Sequence, residues 1–213
     1  MRFLLFFAII FISLPAFAQK KATIDSIEQE MPSLPSNERP RALFDLVAFY
    51  VRADMNKARN YVYEAIRLRD HADGVGKAYS FLSEGMYLNA SGKIDSGILL
   101  LQTAEKYALE NKTYYALLKL YSALSYAYIS SGNAEQGLAY LYKGLSLIEY
   151  YPDREIELRL RTNIVWAYLE LKQYRNCINF GRENIRMMEG TPYEWVALYT
   201  YNNIAVAYGA EGF

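Results

Sequence analysis

The chain has 213 residues, with 23 basic and 23 acidic side chains and a formal net charge of zero. That balance leaves no electrostatic footprint for nucleic acid or for an anionic membrane surface. A single cysteine excludes an internal disulfide framework, and a single histidine argues against a histidine-based metal site, which needs three or four ligands. No cofactor and no metal are expected.

The chain opens with Met1-Arg2, an almost unbroken apolar run over 3–14, and Ala16-Phe17-Ala18, which places small residues where a leader is cleaved. This reads as a secretory signal peptide over 1–18, with a mature chain from Gln19 that is exported to the periplasm or secreted. The apolar run is shorter than the roughly 20 residues that span a bilayer. No later segment is long and apolar enough to cross one, so the mature segment is expected to make no membrane contact.

Residues 19–37 read as a leading helix and linker. Ile24, Ile27 and Met31 lie at helical spacing before Pro32 and Pro35 interrupt the pattern. From 38 to 213 the chain reads as helical hairpins. Leu43, Leu46, Val47, Tyr50 and Val51 mark one buried face. Asp54 is placed to cap the next helix, whose inner face carries Ala58, Tyr61, Val62, Ala65 and Leu68. Further pairs are expected at about 75–91 and 94–110, 113–131 and 134–150, and 154–171 and 174–188. Asn133 and Gln136 have capping-box spacing. Thr191-Pro192-Tyr193-Glu194 combines an N-cap, a proline at the first helical position and a glutamate three after the cap, predicting a helix that starts there. No stretch alternates with period two long enough for a strand.

Four stretches recur with a 40-residue period. They are Gly85-Met86-Tyr87-Leu88 with Gly92, Ser125-Tyr126-Ala127-Tyr128 with Gly132, Val165-Trp166-Ala167-Tyr168 with Lys172, and Ala205-Val206-Ala207-Tyr208 with Gly212. A fixed period of this size implies stacked units, each too small to bury its apolar face alone. Each pair also carries two small positions on its second helix: Ala58, Gly97, Gly137 and Cys177, then Ala65, Ala104, Gly144 and Asn184. Lys172 and Asn184 are the departures. The fifth unit has a first helix and no second before Phe213, which reads as an array truncated within its last repeat.

These residues, above all 124–144, resemble a tetratricopeptide repeat (TPR), from about residue 38 to the end. The resemblance implies an all-α, right-handed superhelical solenoid of antiparallel helix hairpins, with close crossings where the small residues lie. The 40-residue period, the leader and Ile24-Asp25-Ser26-Ile27 are similar to the exported N-terminal sensor arrays of bacterial signalling proteins. There the repeats precede a membrane helix and a histidine kinase or helix-turn-helix output domain. Two functions follow as expectations: an exported scaffold binding a peptide or protein in its concave groove, or the sensory region of such a receptor.

No catalytic constellation is apparent, so no enzyme is expected. Gly74-Val75-Gly76-Lys77 lacks the first glycine, the Ser or Thr and the preceding strand of a phosphate loop. His71 has no nucleophile in register, and Cys177 sits at a small packing position. Arg154, Arg159 and Arg161 are interleaved with Glu155 and Glu157, as on a solvated helix face. The resemblance implies a groove lined by first-helix side chains: Tyr79, Leu82, Met86 and Asn89; Lys119, Ser122 and Tyr126; Arg159, Thr162, Asn163 and Trp166; and Tyr199, Asn202 and Asn203. Lys119 and Arg159 are suited to a carboxylate, the asparagines to a peptide backbone, and Trp166 and Tyr126 to apolar anchors. The Lys and Asn pair of the family's chaperone-tail clamp is missing from Leu82/Met86, Ser122/Tyr126 and Thr162/Trp166.

Overall fold

The computed structural model describes residues 21–212, so the expected leader over 1–18 lies outside the described residues. The described part of the leading helix, α1, covers 21–30 and runs into a 3-10 turn at Met31–Ser33. Hairpins follow as α2 (Arg39–Ala53) with α3 (Met55–Arg69), α4 (Gly74–Ala90) with α5 (Ile94–Glu110), α6 (Tyr114–Ser130) with α7 (Ala134–Ile148), and α8 (Arg154–Glu170) with α9 (Tyr174–Met188). A 3-10 turn at Glu194–Val196 leads into α10 (Ala197–Glu211). The even-numbered helices from α2 are the A helices of their units, and the odd-numbered ones from α3 the B helices. Among the described residues there is no strand, and no helix is long and apolar enough to cross a membrane.

Side-chain caps set four of the starts. Asp54, Asp73, Asn133 and Asp153 accept from backbone N–H groups two or three residues on, at Asn56 and Lys57, Gly76, Gln136 and Ile156. The expected start at Thr191 is corrected. Thr191 Oγ1 accepts from Tyr193 N and Glu194 Oε1 from Gly190 N, but these bonds close a turn and a 3-10 segment, and the α-helix begins only at Ala197. The capping residues are therefore used, in a tighter coil than an α-helix.

The A/B crossings explain the small residues. A Cβ on Gly97 would lie 2.9 Å from the carbonyl oxygen of Gly85, and one on Gly85 would lie 3.0 Å from that of Gly97. At Gly137 it would meet Ile129 Cγ1 at 2.5 Å and the Ser125 carbonyl at 3.0 Å. The second small position faces elsewhere, onto the next A helix: a Cβ on Gly144 would meet Leu160 at 2.8 Å, and the Ala65 carbonyl accepts from Ser80 Oγ. Asn184 occupies that place in α9, fully buried, and donates from Nδ2 to Thr162 Oγ1 (3.0 Å) and Thr200 Oγ1 (3.3 Å). Its Oδ1 has no hydrogen-bond partner.

Successive A helices touch, α2 with α4, α4 with α6, α6 with α8 and α8 with α10, whereas successive B helices make no comparable contact. The A helices consequently form the inner, concave side of a right-handed solenoid. At its first end α1 is part of the core: Ile24 and Met31 are buried with Leu43, Leu46, Phe49 and Tyr50. Glu28 Oε1 accepts from Tyr50 Oη (2.9 Å), Tyr61 Oη (2.5 Å) and Lys57 Nζ (3.2 Å). Burial opposes the charge on Glu28, but the bonds from Tyr61, Tyr50 and Lys57 outweigh it and hold its pKa below the usual glutamate value.

Two outcomes are expected. Gly137→Leu overpacks the α6/α7 crossing against a backbone carbonyl that cannot turn aside, and costs about 1–3 kcal/mol in chemical denaturation. Glu28→Gln lowers the melting temperature at neutral pH, by the equivalent of about 1 kcal/mol at this partly solvated site. Because the folded-state pKa of Glu28 is depressed, its contribution exists above the ordinary carboxylate range and vanishes as pH falls through the folded-state value. The melting temperatures of wild type and Glu28→Gln should therefore converge in acid.

Candidate functional site

The concave face is organised in rows, because a 40-residue period places equivalent A-helix side chains on adjacent helices. One row is Tyr79, Lys119, Arg159 and Tyr199. Another, two helical turns on, is Met86, Tyr126, Trp166 and Val206. A third lies one turn before the first: Val75, Tyr115, Glu155 and Trp195.

The first and third rows enclose a mixed-charge cluster. Arg159 Nε donates to Glu155 Oε1 at 2.8 Å, and its guanidinium lies 4.9 Å from the Trp195 ring centroid. Two cations share the Tyr115 ring, with Arg41 Cζ at 4.8 Å and Lys119 Nζ at 5.1 Å from its centroid. Arg41 belongs to α2 and Tyr115 to α6, so the groove is narrow enough there for units two places apart to touch. Lys119 is half-buried and has no hydrogen bond or ion pair among the described residues. Burial pushes its pKa below the ordinary lysine value, Glu155, Asp153 and Asp45 push it back up, and Arg159 adds to the lowering. The cluster is charge-balanced, so it is not a general anion sink.

The aromatic row lies beside it. Tyr126 is 52% exposed, and its ring centroid is 5.5 Å from that of Trp166. Trp166 is half-buried, packs on the Ile164 and Leu160 cluster and donates from Nε1 to Glu170 Oε1 at 3.0 Å. Tyr199 and Asn202 are exposed, and Asn163 is half-buried. The structure thus brings together Lys119, Tyr126, Arg159, Asn163 and Trp166 on neighbouring A helices, with Tyr199 at the α10 end.

Several expected groove residues lie elsewhere. Tyr79 is only 3% exposed and packs against Phe44 at 5.7 Å between ring centroids, with its hydroxyl pushed up to about 12 by burial. Leu82 and Thr162 are buried as well, Leu82 in the core around α6 and Thr162 in the network of Asn184 and Thr200. Asn89 points at the α4/α5 crossing, where its Oδ1 lies against Gly97. These positions contact the partner helix or the next unit, and that contact wins over exposure to the groove. Conversely, Arg41, Asp45, Tyr115, Glu155 and Trp195 were not among the expected groove residues. Shifting the row of Lys119 and Arg159 back by one turn would have found Tyr115, Glu155 and Trp195. Cys177 is buried, which pushes its thiol up to about 11, and it acts as a packing residue.

No protein-family model matches the chain, and no curated protein matches it significantly. Solved structures do. BtubC (BKLC) from P. vanneervenii is similar at a TM-score of 0.67 and 14% identity, over 92% of this chain and 82% of that one. A kinesin light chain with nearly identical TPR-like repeats from Podospora anserina is similar at 0.62 and 13%, over 84% and 89%. At these identities the likeness shows the fold alone, a TPR-like helical solenoid.

Lys119 gives the site a test of its own. A lysine whose folded-state pKa is lowered costs stability while it is charged, and the cost is relieved as pH rises through that value. Lys119→Met is expected to melt at or above the wild-type temperature at pH 7. The difference should shrink as pH rises toward the ordinary lysine range.

Proposed function

We propose that the protein is an exported interaction scaffold that holds an extended segment of a peptide or protein in the groove formed by its A helices. The observation that carries this reading is Lys119. It is a cation held partly out of water without a hydrogen-bonding partner among the described residues, one helix away from Arg159 and on the same face as the pair formed by exposed Tyr126 and half-buried Trp166. Among the described residues that ammonium meets only the Tyr115 ring and the more distant charges of Glu155, Asp153 and Asp45, whereas a partner's carboxylate set between Lys119 and Arg159 would be held by charge-assisted bonds. Apolar side chains of the same segment would lie on Tyr126 and Trp166. The export half of the proposal rests on Met1-Arg2, the apolar run over 3–14 and Ala16-Phe17-Ala18.

The test pans a displayed random-peptide library against mature protein recovered from outside the cytoplasm, whose first residue should be Gln19. Enriched peptides should combine a carboxylate with apolar residues. Trp166→Ala and Arg159→Ala should each weaken the best of them by roughly 30-fold, equivalent to about 2 kcal/mol. Glu135→Ala, on the outer side, should change nothing. Absence of enriched peptides, or binding indifferent to both substitutions, would sink the groove. Loss of helicity in Trp166→Ala would move that residue into the core.

A further inference from the structure

Resting on the groove reading above, we infer that the segment held between α6 and α8 is one turn of polyproline II helix. It carries a single carboxylate and, three residues along, an apolar side chain. Lys119, Ala123 and Tyr126 of α6, like Arg159, Asn163 and Trp166 of α8, stand at i, i+4 and i+7, so each trio shares one helix face. Across the α6/α8 contact they form three tiers: two cations, then Ala123 beside Asn163, then two rings. The ring tier is one shared feature, since the Tyr126 and Trp166 centroids are 5.5 Å apart with their planes inclined by 47°. The cation tier is shared as well, for Arg159 is near enough to oppose the charge on Lys119.

The distance between tiers selects the conformation. Seven residues of α-helix put the cations and the rings about 10 Å apart along the axis. A ligand lying along that line must present its carboxylate and its apolar group on one side at that separation. A β-strand returns to one side at roughly 6.6 Å or roughly 13 Å, and misses. An α-helix matches the distance, but it is about 10–12 Å across and bonds its own backbone groups internally. Arg41 of α2 narrows the cation end by reaching the Tyr115 ring at 4.8 Å, and the half-buried Asn163 amide, with no hydrogen bond among the described residues, faces the ligand's backbone midway. Polyproline II returns to one side every third residue, after about 9 Å, and leaves its backbone groups unpaired. It meets all three tiers. The acid is single because Asp45, Asp153 and Glu155 also act on Lys119 and would repel a second. The mode is a polyproline II segment on an aromatic-lined groove.

The experiment titrates the mature protein, by fluorescence anisotropy, into labelled capped peptides built on a proline frame. Two peptides, Pro-Pro-Glu-Pro-Pro-Leu-Pro-Pro and Pro-Pro-Leu-Pro-Pro-Glu-Pro-Pro, cover the two chain directions. The better one should bind roughly tenfold or more tightly than frames that set Leu two or four residues from Glu, and than the same peptide with glycines in place of its prolines. The spacing frames keep the conformation and break the register, and the glycine frame does the reverse. Replacing the peptide glutamate by glutamine should cost about as much as Arg159→Ala in the protein, and the two together little more than either. Tyr126→Ala should weaken every leucine-bearing frame. Binding indifferent to spacing, or equal for the glycine frame, overturns the inference. So does a proline series that fails to bind. If peptides selected from the random library bind through Arg159 while the proline series does not, this inference falls and the scaffold reading stands; if neither set binds, both fall.

Discussion

Everything in this molecule depends on how closely an A and a B helix can approach. At α4/α5 the Gly85 and Gly97 backbones oppose each other with no room for a side chain on either. Each hairpin meets the next through contacts that join A helix to A helix but not B helix to B helix, so each unit acts as a wedge rather than a slab. Stacked wedges curve. The curvature brings A helices into mutual contact and leaves B helices apart, and it creates an inner surface narrow enough for Arg41 of α2 to reach Tyr115 of α6.

The inner surface combines two environments that a flat helix layer would keep separate. Lys119, Arg41 and Arg159 share it with Asp45, Asp153 and Glu155, and aromatic rings lie under three of those charges. Pairing cations with rings and carboxylates lets the groove stay charged while partly desolvated, since each charge keeps a local compensation. Lys119 sits over the Tyr115 ring and is opposed by burial, so its surroundings leave something to be gained from a ligand carboxylate.

Much of the architecture was legible in the sequence because the constraint is strong and repeated. Gly97 and Gly137 fall at A/B crossings, Ala58 and Cys177 are fully buried at the same place in their repeats, and such a place tolerates few residue types. The second set, ending in Asn184, was legible as small but not in its direction, because spacing along one helix does not say which neighbour it meets. The groove was half legible. The period located the rows of Lys119 and Trp166, but Tyr79, Leu82 and Thr162 lie where the next unit closes over them, a tertiary effect that no single helix records. The 3-10 start of α10 escaped for a related reason. Identical capping residues can close either coil, and packing of Trp195 beneath Arg159 accompanies the tighter one.

Asn184 gives one joint of the array a character of its own. In α3, α5 and α7 its place is held by Ala65, Ala104 and Gly144, and the joint there is close apolar or backbone contact. In α9 the joint is a polar knot with Thr162 and Thr200, satisfied in one alignment only and leaving a carbonyl oxygen without a partner. Such a knot fixes register, since sliding α10 by one turn would take the Thr200 hydroxyl away from Asn184 and Thr162. The α9–α10 joint thus combines an apolar seam of Ile178, Ile185, Met188, Ile204 and Ala207 with a polar key, so that the seam holds the two helices together and the key sets where along each other they lie.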